Sequence, residues 1–219
     1  MIQSYEQMPI ATYGKILSVI RNEQMNDFDK EIAMLSIISD KSEEELISIP
    51  LVDLKAITSK CGYLLEQPKP AKVKDEYQVG DYTLCPTKRI ERISAGQFIS
   101  FQELAKAHKG RNDVEYLPQI LSCFLIPKGK KYSNDYGDFD IYDVQDAIRD
   151  HLSIVDALAL LAFFLTSVKQ SQANILRFLE WRLRLTWTKT PQQKELKMMQ
   201  LKMIRRFRDS LKNGDGQST

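Results

Sequence analysis

The sequence predicts a mainly α-helical protein: two similar helical blocks joined by a β-hairpin, with a basic C-terminal helical extension. Three observations predict this. Apolar residues recur at three- and four-residue spacing through most of the 219 positions. That period gives way to alternation once, around Gly80-Asp81. Charge then changes sign near residue 169. Residues 169–219 carry 12 Lys or Arg against 4 Asp or Glu, net +8, and the preceding 168 carry the remaining 19 and 25, net −6. An acidic body therefore bears a basic tail.

Met8-Pro9-Ile10-Ala11 opens the first helix, with Pro9 suited to its first turn. Ile10, Tyr13, Ile16, Leu17 and Ile20 mark its apolar face, and Ile32, Leu35 and Ile38 mark the next. Ser42 and Glu45 have capping-box spacing and start a short helix that Pro50 stops. A further helix carries Leu54, Ile57, Cys61 and Leu64-Leu65. Pro68 and Pro70 then break the pattern, because proline lacks the N–H that a helix needs. Tyr77, Val79, Tyr82 and Leu84 flank Gly80-Asp81, the signature of a hairpin ended by Pro86.

Helical spacing resumes at Ser94-Ala95-Gly96-Gln97 and runs through Phe98, Phe101 and Leu104. A helix is expected over 116–125, a polar loop over 128–139 and a short helix over 141–148. Residues 153–168 form the most hydrophobic helix. The tail reads as two amphipathic helices over 170–211, broken at Thr190-Pro191. The resulting division is 1–67, first block; 68–92, linker and hairpin; 93–168, second block; 169–212, basic tail; 213–219, disordered end. Pro9-Ile10-Ala11-Thr12-Tyr13 aligns with Ser94-Ala95-Gly96-Gln97-Phe98, residues 33–38 with 119–124, and residues 44–54 with 148–158, which suggests an internal duplication. The repeated unit is larger than a solenoid repeat.

Composition and motifs narrow the function classes. Hydrophobic residues at 43% and charged residues at 27% suit a globular chain with a true core. A net charge of +2 leaves no whole-chain attraction for nucleic acid or membrane. The apolar stretch over 157–165 is too short to span a bilayer, and the first residues predict no secretory leader. Cys61, Cys85 and Cys123 are odd in number and widely spaced, which fits a reducing compartment and no zinc site. His108 and His151 have no ligand-spaced neighbours. Asp135, Asp138, Asp140 and Asp143 cluster, but without the ligand order or closing Glu of a calcium loop. No phosphate-binding glycine loop or nucleophile elbow occurs. The expectation is a protein that is not an enzyme and holds no cofactor or metal.

The tail carries the candidate partner-binding residues. Trp181, Arg182, Arg184 and Trp187 interleave aromatic, basic and apolar side chains. Such residues stack on bases in some proteins and anchor protein interfaces in others, and the interface is the preferred reading. Leu196, Met199, Met203 and Phe207 form a stripe, rimmed by Lys197, Lys202, Arg205, Arg206 and Arg208. A methionine stripe with a basic rim suits a partner groove or the protein's own core.

Four segments resemble a loosely defined family of tailed-bacteriophage proteins described as tail assembly chaperone-like or virion structural proteins. They are Met8-Pro9-Ile10-Ala11-Thr12-Tyr13; residues 35–50 with Ser42-Glu43-Glu44-Glu45-Leu46; Gly80-Asp81-Tyr82-Thr83-Leu84-Cys85-Pro86-Thr87 followed by Ile93-Ser94-Ala95-Gly96-Gln97-Phe98; and Leu152-Ser153-Ile154-Val155-Asp156-Ala157-Leu158. The resemblance covers about residues 8–168 and leaves out the basic tail. It implies no catalytic residue. It implies a virion component at the head–tail connector or in the tail, assembled with other phage structural proteins as a homo-oligomer or ring. The alternative it implies is a tail assembly chaperone that binds the tape-measure protein. Either would reside in the virion or the host cytoplasm, without a membrane partner. The charge of the tail separately suggests a nucleic-acid-binding alternative.

Overall fold

The computed structural model of the chain describes residues 1–87, 93–107, 114–132, 139–185, 198–199 and 201–203; at residues 95, 105, 169 and 171–185 it describes the backbone alone. The protein is mainly α-helical, with one small antiparallel sheet among the described residues. Its helices are α1 (Ile10–Arg21), α2 (Asp27–Ser39), α3 (Glu43–Ser48), α4 (Leu51–Lys60), α5 (Ala95–Ala107), α6 (Leu117–Ser122), α7 (Ile141–His151) and α8 (Ile154–Leu185). The strands are β1 (Tyr77–Val79), β2 (Tyr82–Pro86) and β3 (Leu125–Pro127), in the order β1-β2-β3. Residues 1–88 and 92–163 form one unit, and residues 89–91 and 164–219 a second.

Capping chemistry sets several of the helix starts. The Asn26 side chain accepts from the Asp29 N–H at 2.9 Å and opens α2. Ser42 and Glu45 form the expected reciprocal capping box at α3: Ser42 Oγ accepts from the Glu45 N–H, and Glu45 Oε2 from the Ser42 N–H. Ser94 and Gln97 do the same for α5, at 3.1 and 2.8 Å. Asp40 closes α2 in the left-handed conformation (φ 58°), which aspartate tolerates better than most residues.

The core of the first unit gathers Met8, Ile10 and Ile16 with Ile32, Leu35, Ile38 and Leu46, all buried. Leu84, Leu121, Phe124 and Leu125 continue it beneath the sheet, and Val144, Ile148 and Ile154 bring in α7 and α8. Phe101 meets Phe124 edge-on at 5.0 Å. Helix α1 packs against both α2 and α7, so the two helical segments share one core. Their plans differ in detail. Helix α4 buries no side chain, whereas α8, aligned with it in sequence, starts with Ile154, Val155, Ala157, Ala159 and Leu160 all buried.

The hairpin forms at the expected place, with Val79 opposite Tyr82 and a two-residue Gly80-Asp81 connection. Gly80 has φ +57°, the conformation for which glycine is selected in such turns. The expected helix over 116–125 requires correction. A 3-10 turn at Val114–Tyr116 leads into the short α6, and Leu125–Pro127 becomes a third strand paired with β2. Leu121, Cys123, Phe124 and Leu125 are all buried, and a continuous apolar run has no period to separate helix from strand.

The expected helix end at 168 is also corrected, since α8 continues unbroken to Leu185. No Gly or Pro lies between Ser153 and Thr190, and a change of charge does not stop a helix. The expected break at Thr190-Pro191 falls outside the described residues.

Candidate partner-binding site

The described tail residues place the methionine stripe in solvent. Residues 198–199 and 201–203 are helical; Met198, Met199 and Met203 are exposed and Leu201 is buried. At 100° per residue, Met199 and Met203 lie close together on the helix, and Leu201 lies almost opposite both. The buried face is thus the one centred on Leu201. Trp181, Arg182 and Arg184 lie on the backbone of α8; Trp187, Arg205, Arg206 and Phe207 fall outside the described residues.

A second exposed apolar face, missed in the sequence reading, lies at the corner between α3 and α4. Leu46 is fully buried and pins α3, while its neighbour Ile47 is 64% exposed. Leu51 and Val52, just past Pro50, are 65% and 77% exposed. Helix α4 is ten residues long, too short to be stable alone in water, and within it Leu54, Ile57 and Thr58 are half-buried and no side chain is fully buried. Asp40, Glu43, Glu44, Glu45 and Asp53 flank this corner in the sequence, with Lys41 before it and Lys55 one turn on from Leu51 and Val52, and all are exposed. Helical spacing alone could not reveal the face, because an apolar stripe reads the same whether it points in or out.

A groove of about 390 Å³ opens between α1, α6 and α7. Ile10, Ala11, Gly14 and Pro118 supply its apolar lining, and Lys15, Glu115, Arg149 and Asp150 its charged edge. Arg149 uses three of its five N–H groups there: it donates from Nε and Nη2 to Asp150 at 2.9 and 2.8 Å, and from Nη1 to Asp146 at 2.7 Å. These bonds hold the Asp150 carboxyl below the usual carboxylate range. The guanidinium is therefore committed within its own helix.

Among the remaining candidates, the described aspartates and His151 lie at element ends. Asp140 caps α7 by accepting from the Tyr142 N–H at 2.8 Å, and Asp143 sits in the same first turn. His151 lies over the hairpin turn, where a Cβ added at Gly80 would come within 3.0 Å of its ring. His108, Asp135 and Asp138 fall outside the described residues. Burial raises the Cys61 thiol and pushes that of Cys123 up to about 11, the reverse of an activated nucleophile. Among the described residues no three His, Cys, Asp or Glu gather to hold a metal ion. None of the described helices is long and apolar enough to cross a membrane.

One half-buried ion pair had no sequence signal. Lys74 Nζ meets Asp156 Oδ2 at 2.9 Å, although the residues lie far apart in the chain. Ala71 N–H donates to Val155 O at 3.1 Å, so the linker after Pro70 is strapped across the start of α8. Asp156 Oδ1 is buried without a hydrogen-bond partner.

No protein-family model, no curated protein and no solved structure matches the chain.

Proposed function

We propose that this chain is a non-enzymatic morphogenesis protein of a tailed phage, a virion component at the head–tail connector or in the tail that works through protein–protein contacts. The phage assignment rests on the sequence resemblance. The observation that carries the mode of action is the exposure of Met198, Met199 and Met203 on helical residues within a segment of net charge +8. Flexible, polarisable methionines supply adaptable apolar contact, and the surrounding lysines and arginines select an acidic partner. Peptide mass spectrometry of purified particles and tail intermediates tests this reading. The chain is expected in the particles; absence from them overturns the virion reading, and absence from both preparations overturns a morphogenesis role altogether.

A second reading is a tail assembly chaperone for the tape-measure protein, and the exposed α3–α4 corner favours it. An apolar face of that kind suits an amphipathic client helix. A chaperone is expected in the intermediates and missing from finished particles. Nucleic-acid binding through the tail has its charge alone in support, and predicts an affinity for duplex DNA that falls steeply with salt.

A further inference from the structure

We infer that the exposed α3–α4 corner receives the basic, methionine-bearing helix of a second copy of this chain. The inference rests on the assembly reading above and goes further, by naming the receiving surface and its occupant. Ile47, Leu51 and Val52 are all more than half exposed, and so are Met198, Met199 and Met203. Each is large and apolar enough to gain from being covered. The charges of the two segments are opposite: positions 40–60, which hold α3 and α4, carry five acidic residues and three lysines, net −2, and residues 169–219 are net +8.

Charge also excludes the simplest alternative. Two α3–α4 corners facing each other would set Glu43 and Glu44 against their own copies, and two tails would set lysines and arginines together. Like charges in such contacts repel. The favourable pairing is corner to tail, a heterologous contact in which each copy offers one face of each kind. Repetition of that contact builds a ring if the rotation closes and a filament if it does not.

The test is light scattering on the full chain over a range of concentrations, with two variants. Ile47→Glu/Val52→Glu spoils the corner, and Met199→Glu/Met203→Glu spoils the tail. All four positions face solvent, and circular dichroism verifies that helix content is unchanged. The natural chain is expected to exceed its 25.3 kDa monomer mass. Raising salt tenfold should weaken the association by about tenfold or more. Each variant alone is expected to be monomeric. An equimolar mixture of the two should give a dimer, because one intact corner and one intact tail remain. A natural chain that stays monomeric, an oligomer that survives either substitution, or a mixture that stays monomeric overturns the inference. A monomeric chain found in phage particles would drop this inference and keep the assembly reading, whereas absence from particles and intermediates would drop the reading itself.

Discussion

Pro9 and Ser153 lie opposite each other in an isolated antiparallel bridge that ties the start of α1 to the start of α8. Ile154 N–H donates to Met8 O at 2.8 Å, and Ile10 N–H to Leu152 O at 3.2 Å. Proline fits this place because neither bond needs an N–H at position 9. Residues 8–13 and 152–158, far apart in the chain, therefore meet in space, where they serve the framework.

Ser153 also caps α8: its Oγ accepts from the Asp156 N–H at 3.2 Å. Ser153→Ala should lower stability by about 1 kcal/mol, and Ser153→Gly by less. Urea unfolding followed by circular dichroism would show this as a lower midpoint with an unchanged slope. No loss in the alanine variant would mean that the bridge, and not the cap, holds the helix start.

Lys74→Met should destabilise by about 1–3 kcal/mol, because it leaves the Asp156 carboxylate buried without its cation. Lys74 is itself 57% exposed, so solvent screening favours the low end of that range. The double variant Lys74→Met/Asp156→Leu should recover part of the loss, since Asp156 Oδ1 has no partner to give up. A double variant less stable than Lys74→Met would count against this account.

Gly80→Ala should cost about 1–2 kcal/mol for the left-handed backbone alone. The close approach of His151 adds to that cost. Combining Gly80→Ala with His151→Ala should return the second part and leave the first. A thermodynamic cycle over the four proteins measures the coupling between the two positions.

Alkaline pH should weaken the fold. Burial pushes Cys123 up to about 11 and Tyr63 up to about 12, from ordinary values of 9.0 and 10.0. Both groups have raised pKa values in the folded state, so above pH 9 the unfolded chain sheds protons first. Their contribution is intact below pH 9 and is lost as pH rises toward 11–12. The thermal midpoint should fall across that window, and Cys123→Ser should shift the onset upward. Native Cys123 should resist iodoacetamide at pH 8, where about one thiol in a thousand is ionised.

Much of the fold was legible because local chemistry decided it. Ser42 and Glu45 announced α3, and Gly80-Asp81 announced the hairpin. What escaped was non-local. Leu125-Ile126-Pro127 is too short to show a period, and its partner β2 lies some forty residues earlier. The charge change at residue 169 suggested a boundary, but helix geometry responds to Gly and Pro and not to sign. At the candidate site, the spacing of Met199 and Met203 was readable and their exposure was not. The α3–α4 corner was hidden for the same reason: Leu46 and Ile47 differ little in chemistry, yet one is buried and the other faces water.

The bridge between Pro9 and Ser153 also has a consequence for synthesis. A ribosome adds about 5–20 residues each second, so residue 9 waits on the order of ten seconds for residue 153 to be made. During that interval Ile10 and Ile16 lack the partners that α7 supplies. The nascent chain thus passes through a stage in which the side of its first helix that meets α7 is uncovered, and the first unit can close only once residue 153 has been made.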